Sequence, residues 1–165
     1  MSRAKNPKFK VHFRRRNEGR TNFVKRLALV KSEKPRMVVR RSNSNVVVQF
    51  ITFDPKGDKT LVTITGKHLL KSFGWPSKRN VWTAYLAGLM AAVSAKKKGV
   101  SDFVLDVGLY IPSKGSLLFA ALKGAHDAGL KTSFEAEMVP EDKLSNPPEA
   151  VKAKFQAAKS KIIAG

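Results

Sequence analysis

The sequence predicts an α/β fold, built on a mixed sheet of about five strands with helices packed on it in a three-layer arrangement. Residues 35–66 hold three β-rich runs joined by short turns, which is typical of an antiparallel meander. Residues 67–134 then alternate helix and strand patterns, and such crossovers make the later strands parallel. The predicted order is therefore a β-meander followed by a βαβαβ unit.

The three strands of the meander are defined by the turns between them. Turn-forming residues lie at 42–45 and at 54–58. The runs on either side are rich in Val, Ile, Thr and Phe, which favour a pleated strand. We expect strands at 36–41, 46–53 and 60–65.

The second half contains two strong helical patterns. Residues 79–98 carry a single apolar stripe, formed by Trp82, Tyr85, Leu86, Leu89 and Val93. Residues 116–128 place Leu118, Ala121, Leu122 and Ala125 on an inward face. A short helix is expected at 67–73, a buried strand within 100–107 and a fifth strand at 130–134.

Charge divides the chain into three parts: a basic arm (1–34), an α/β core (35–134), and a linker with a peripheral helical tail (135–165). Residues 1–41 hold 15 basic and two acidic residues, or +13 of the total of +20. The last 32 residues are neutral overall. An arm of this kind repels itself and needs a polyanion partner.

Both ends of the chain are expected to be helical. In the arm, residues 21–30 have the spacing of a short amphipathic helix. Its Phe23, Leu27 and Val30 are expected to pack on the body, with Lys25 and Arg26 facing outward. In the tail, residues 149–163 predict a peripheral helix that docks on a partner or frays.

Several chemistries lack the residues that they require. The chain has no cysteine, its three histidines are scattered, and no stretch of about 18 apolar residues suggests a membrane span. Asp106 near a strand end is interpreted first as a structural or loop-capping residue, but it is also the one position suited to a catalytic acid. A metal-dependent nuclease with a ribonuclease H-like sheet is therefore the alternative. It requires a second converging carboxylate from Asp54, Asp58 or Asp102. We expect no catalytic residue, metal, cofactor or small-molecule substrate.

The arm has the composition of an RNA-binding segment. Arginine offers a planar fork for phosphates and a face for stacking on bases. Phe9, Phe13 and Phe23 interleave with the cations, either to stack on bases or to anchor the arm. The candidate contacts in the arm are Arg3, Lys8, Lys10, Phe13, Arg14, Arg15, Arg16, Arg20, Lys25 and Arg26.

Two places in the core add candidate contacts. The first predicted strand and its turn supply Arg36, Arg40, Arg41, Ser42 and Asn43. Alternate strand residues share a face, so one of Arg40 and Arg41 points away from the core. Lys114 and Ser116 lie where a strand meets a helix, and there free backbone N–H groups either hold an RNA phosphate or simply form a helix cap.

The order and spacing of several segments resemble a known family, the large-subunit ribosomal protein that binds 5S ribosomal RNA, numbered eighteen in bacteria and five in eukaryotes. The matching segments are RRRNEGRTNF (14–23), KRL (25–27), PRMVVRRSN (35–43), FDPKGDKTLV (53–62), LDVGL (105–109), KGS (114–116) and FAALKGAHDAGL (119–130). The basic arm is similar to the archaeal and eukaryotic branch, and the short tail favours the archaeal type.

This resemblance implies a fold related to ribonuclease H without its activity. It implies a cytoplasmic ribosomal protein of the central protuberance that bridges 5S and large-subunit (23S-type) rRNA beside neighbouring large-subunit proteins. It also implies RNA contacts at Arg14 to Arg20 and at 40–43. A nonspecific DNA-compacting protein is a third interpretation of the charge.

Overall fold

A four-stranded mixed sheet forms the centre of the protein, whose computed structural model describes residues 6–164. The strands are β1 (Arg36–Arg41), β2 (Val46–Thr52), β3 (Lys59–Thr65) and β4 (Val104–Asp106). Their order in the sheet is β3-β2-β1-β4. The first three pair antiparallel and β4 pairs parallel to β1. The predicted meander, crossover and mixed α/β class are confirmed.

The predicted fifth strand is reduced to a single contact. Lys131 forms an isolated parallel bridge with Asp102, and the chain then leaves the sheet. The ring of Phe134 packs edge-on against His126, which lies in a helix, with 5.2 Å between the ring centroids. This residue therefore turns toward a helix and does not extend the β-sheet. The structure therefore has four strands and one residue pair where the sequence predicts five strands.

Seven α-helices occur among the described residues. They are α1 (Arg14–Asn17), α2 (Phe23–Lys31), α3 (Gly66–Phe73), α4 (Val81–Lys96), α5 (Leu117–Asp127), α6 (Glu141–Ser145) and α7 (Glu149–Ala164). Asn22 and Asn80 cap α2 and α4, since each side chain accepts a bond from a backbone N–H three residues later. No helix in this part of the chain is long and apolar enough to cross a membrane.

The helix α4 is buried on nearly all sides. One face of the sheet, with Met37, Val39, Val48 and Phe50, packs toward it, while α5 and α7 cover its other sides. The single stripe predicted for α4 is therefore too narrow. The buried residues of α4 are Thr83, Ala84, Tyr85, Leu86, Ala87, Gly88, Leu89, Ala91, Ala92 and Ala95.

Two glycines allow α4 and α5 to approach each other closely. A methyl group on Gly88 would lie 2.0 Å from the carbonyl oxygen of Ala121, and one on Gly124 would lie 2.1 Å from that of Tyr85. Both distances are far inside van der Waals contact, and both obstacles are backbone atoms. The small residues in these helices thus fix how tightly the helical layer packs.

The tail helix α7 packs on the body of the protein. Phe155, Ala158 and Ile162 are buried. The ring of Phe155 lies 6.1 Å from that of Trp75 and 5.6 Å from that of Tyr85, centroid to centroid. The helix packs on the chain itself, so the expectation that it frays is wrong, while docking of its exposed face on a partner stays a prediction. The apolar residues of α7 are only loosely periodic, yet they pack against aromatic side chains of the same chain.

The arm helix α2 faces the other side of the sheet across a cleft. The predicted packing face of α2 is partly wrong. Leu27 is 56% exposed, and Arg26 turns toward the body, where it contacts Asp58. The layers are therefore α2, the sheet, and the helices around α4.

The substitution Gly88→Ala tests the close helix contact. At an exposed helical site, Ala in place of Gly stabilises a protein by about 1 kcal/mol. Here the added methyl meets backbone, so we expect the free energy of unfolding to fall by about 1–3 kcal/mol in urea denaturation. The matched variant Ser94→Ala on the same helix should change it by less than about 0.5 kcal/mol. A stabilised Gly88→Ala variant would contradict the packing described.

Candidate nucleic-acid interface

Five charged side chains form a continuous ladder on the sheet face that α2 overlooks. We call Arg26, Asp58, Arg36, Asp106 and Arg40 the charge ladder. Asp58 Oδ2 accepts bonds from Arg26 Nη2 at 2.9 Å and from Arg36 Nη2 at 2.6 Å. Asp106 accepts from Arg36 Nη1 at 2.9 Å and from Arg40 Nη2 at 3.0 Å. Cations and carboxylates thus alternate from the arm to the end of β1.

Strand geometry explains how the ladder forms. Arg36 and Arg40 are four residues apart on β1, so they lie on the same face. In the parallel pairing of β1 with β4, Asp106 stands beside Val38, midway between the two arginines. Asp58 reaches Arg36 from the β2–β3 turn. Three distant segments therefore place their charges on one line.

Arg36 is the buried centre of the ladder. Its side chain is 6% exposed, and it bridges Asp58 and Asp106. Arg36 Nε and Asp58 Oδ1 are buried without a hydrogen-bond partner among the described residues. Both of its terminal nitrogens are committed to carboxylates inside the protein, which disfavours an RNA contact at Arg36; that contact stays a prediction.

The arrangement does not match a two-metal nuclease site. The guanidinium of Arg36 lies between the two ladder carboxylates. Asp54 instead accepts hydrogen bonds within the β2–β3 turn, from the Lys59 ammonium and from the Lys56 N–H. These bonds hold the pKa of the Asp54 carboxyl below its ordinary value. Within residues 6–164, no three His, Asp or Glu side chains are grouped so that they could hold a metal ion.

A cleft of about 840 Å³ lies between the arm and the sheet. Its arm wall includes Arg15, Arg20, Lys25 and Leu29. The opposite wall comes from β1, from the end of β4 and from the loop at 107–110 that follows it. The cleft therefore brings predicted contacts of the arm to the same place as Arg40 of the hairpin.

The arm cations are exposed and weakly paired. The side chains of Arg14 and Arg20 are 82% and 69% exposed and share Glu18, at 4.0 and 3.3 Å. Exposed pairs of this kind contribute little, so a phosphate can replace Glu18. Arg15 Nε donates to Thr21 Oγ1 at 2.8 Å. Lys8, Lys10, Arg16 and Lys25 are exposed, while Arg3 lies outside the described residues.

Phe13 is available for stacking. It is 75% exposed, and its ring centroid lies 5.5 Å from that of Phe23. Phe23 is half-buried at the start of α2. Of the two roles left open for the arm aromatics, exposure favours base contact for Phe13 and burial favours anchoring for Phe23.

The end of the β1–β2 hairpin presents a second set of contacts. The Arg41 guanidinium lies over the Tyr110 ring at 5.2 Å from its centroid, and the Tyr110 hydroxyl donates to the Arg41 carbonyl at 2.6 Å. Ser42 Oγ accepts from the Asn45 N–H at 3.0 Å, which closes the turn. The exposed Asn43 uses its carbonyl to accept from Arg79. Arg41 and the Asn43 side chain thus face solvent.

The loop before α5 stands apart from the cleft lining. Lys114 pairs with Glu137, and both side chains are exposed. The Gly115 N–H donates to the Met138 carbonyl at 3.0 Å, so this amide is used within the protein. Ser116 is the N-cap residue of α5, and its buried hydroxyl has no partner among the described residues. RNA contacts at Lys114 and Ser116 stay predictions.

Sequence reasoning missed three organising residues. The sequence indicates a turn acid at Asp58 and a loop-capping or catalytic acid at Asp106, but it links neither to the arginines and gives no role to Tyr110. The available signal was weak: an Asp followed two residues later by Gly at a strand end indicates a turn that the carboxylate stabilises. The Gly108 N–H does donate to Asp106 Oδ1 at 2.8 Å.

Comparison with known proteins shows the family to which the chain belongs. A family model described as "Ribosomal large subunit proteins 60S L5, and 50S L18" matches residues 7–103. The chain belongs to this family. The large ribosomal subunit protein uL18 of Korarchaeum cryptofilum is 48% identical over 140 residues, which cover 84% of this chain and 71% of that protein. The uL18 protein of Aeropyrum pernix is 46% identical over 140 residues, 84% of this chain and 65% of that one.

Family membership decides between the earlier interpretations. The chain is a large-subunit ribosomal protein of the archaeal type, a structural component of the cytoplasmic ribosome and not an enzyme. The nuclease alternative is therefore wrong, in agreement with the arginine that separates the ladder carboxylates.

The substitution Arg36→Met tests the charge ladder. It removes the cation shared by Asp58 and Asp106, which keep only Arg26 and Arg40. The loss of the charged hydrogen bonds from Arg36 should lower the free energy of unfolding by about 2–3 kcal/mol in urea denaturation. The control Arg41→Met removes the same charge from an exposed site and should cost less than about 1 kcal/mol. Equal, small losses in both variants would show that the ladder does not stabilise the fold.

Proposed function

We propose that this protein binds 5S rRNA and joins it to the large-subunit rRNA in the central protuberance. The observation that carries the proposal is the cleft that unites the arm with the hairpin end. Its lining includes the arm residues Arg15, Arg20 and Lys25 together with Arg40 and Tyr110. Residues far apart in the sequence thus form one cationic surface suited to RNA.

The ladder arginines and the exposed arm cations have different roles in the proposed RNA binding. The three ladder arginines are paired with Asp58 and Asp106, so they fix the position of the arm and hairpin. Exposed arm arginines meet phosphates, and the release of counterions from RNA drives this binding. Binding energy thus comes from the exposed arm cations, and the ladder arginines determine the shape of the surface.

The predicted bridging role requires exposed surfaces outside the cleft as well. The distal arm, residues 8–16, is exposed over almost its whole length. The hairpin end with Arg41 and Asn43 is a second exposed surface, supported by Tyr110 and Arg79. One RNA on each surface is the arrangement that bridging needs, and neighbouring large-subunit proteins complete the surroundings.

A DNA-compacting role is the second candidate from the charge alone. The fold disfavours it, because a folded body with a shaped cleft can distinguish one nucleic acid from another. Nonspecific DNA compaction does not require such selectivity. Membership of a large-subunit ribosomal family further supports RNA, and not DNA, as the bound nucleic acid.

The double variant Arg14→Ala/Arg16→Ala tests the arm. Each lost phosphate contact lowers the slope of log K against log salt by about 0.7–0.9, so we expect a reduction of roughly 1.5 in filter binding to 5S rRNA. The matched control Lys152→Ala/Lys154→Ala removes the same charge from exposed positions on α7. It should leave the slope unchanged.

Two results would count against the proposal. One is an equal reduction of the slope in the α7 control, which would mean that net charge alone matters. The other is equal affinity of the unaltered protein for 5S rRNA, an unrelated RNA duplex and duplex DNA at physiological salt.

A further inference from the structure

We infer that the cleft between the arm and the sheet receives an unpaired nucleotide of the bound RNA, with its base against the sheet and its phosphate against the arm. This inference rests on the proposed function and adds a specific subsite to it. It follows from the shape of the cleft, from its charges and from the groups that form its walls.

The size of the cleft suits a flat ring, and its floor carries apolar side chains beside the charge ladder. Its volume of about 840 Å³ is in the range of pockets that bury small ligands. Val38, Ile51 and Val104 contribute apolar side chains from the sheet, and Leu29 contributes one from α2. A cleft with these residues on both sides excludes water from the faces of a base.

The charges lining the cleft select an anion. Six cations and two carboxylates line it, and the carboxylates are already bound to ladder arginines. The exposed Lys25 and the weakly paired Arg20 remain available on the arm side. An apolar floor beside free cations complements a nucleotide, which carries a base and a phosphate on one sugar.

The wall at the hairpin end is pre-organised. The Tyr110 ring is fixed between two contacts of Arg41, one to the ring and one to the hydroxyl. Gly108 has a φ of +64°, and a methyl group there would lie 2.9 Å from the Arg40 guanidinium. Glycine thus lets Arg40 lie flat against the loop. Aromatic rings and guanidinium planes are the surfaces on which proteins stack unpaired bases.

Other occupants match the cleft less well. An apolar side chain from a neighbouring protein would leave the cations on the arm side without a partner. Paired bases in an RNA duplex are stacked within the helix and do not enter a protein cleft. An unpaired nucleotide satisfies both the apolar floor and the cations.

The substitution Ala28→Trp tests the inference. Ala28 is exposed on α2 and lines the cleft, so the indole fills the cleft without a change of charge or core packing. We expect affinity for 5S rRNA to fall about tenfold, the effect of losing one stacked base, with the salt slope unchanged. The control Ala153→Trp, exposed on α7, should bind as the unaltered protein does.

Ultraviolet cross-linking of the 5S rRNA complex supplies a second readout. We expect Tyr110 to cross-link to an unpaired nucleotide and Ala28→Trp to abolish that adduct. If the protein binds 5S rRNA selectively but Ala28→Trp keeps full affinity and the adduct, the cleft inference is overturned and the proposed function stands. If the unaltered protein shows no preference for 5S rRNA, the proposed function is contradicted, and the cleft inference is contradicted with it.

Discussion

The guanidinium of Arg36, held between Asp58 and Asp106, is the interaction on which the rest of the structure depends. It ties the first strand to the β2–β3 turn and to the end of β4. Asp58 also holds Arg26 of the arm helix, and Asp106 also holds Arg40 of the hairpin. A single buried cation thus sets the distance between arm and sheet, and so the width of the cleft.

This arrangement explains how a chain with a net charge of +20 folds. The three ladder arginines near the sheet are paired with two carboxylates, and the other side of the sheet packs against an almost purely apolar helix. The remaining arm cations stay in solvent, where water screens their repulsion. Because Glu18 pairs with its arginines only at the surface, RNA phosphates can take its place at little cost.

Local sequence patterns correctly predicted the turns and most helices and strands, because short-range interactions determine these features. The turns at 42–45 and 54–58 and the helical spacings were sufficient to predict most of the elements. The role of Arg36 was not predictable in this way, because its partners lie 22 and 70 residues away and a charged strand residue resembles a solvated edge. The docking of α7 and the burial around α4 depend on aromatic and glycine contacts that no single segment reveals.

The most direct test is a high-resolution structure of an assembled large subunit that contains this protein. The account predicts Arg36 between Asp58 and Asp106 inside the protein, with Arg14, Arg16, Arg20 and Arg41 within hydrogen-bond distance of RNA phosphates. An Arg36 that leaves both carboxylates to bind a phosphate, or an arm that points into solvent, would contradict it.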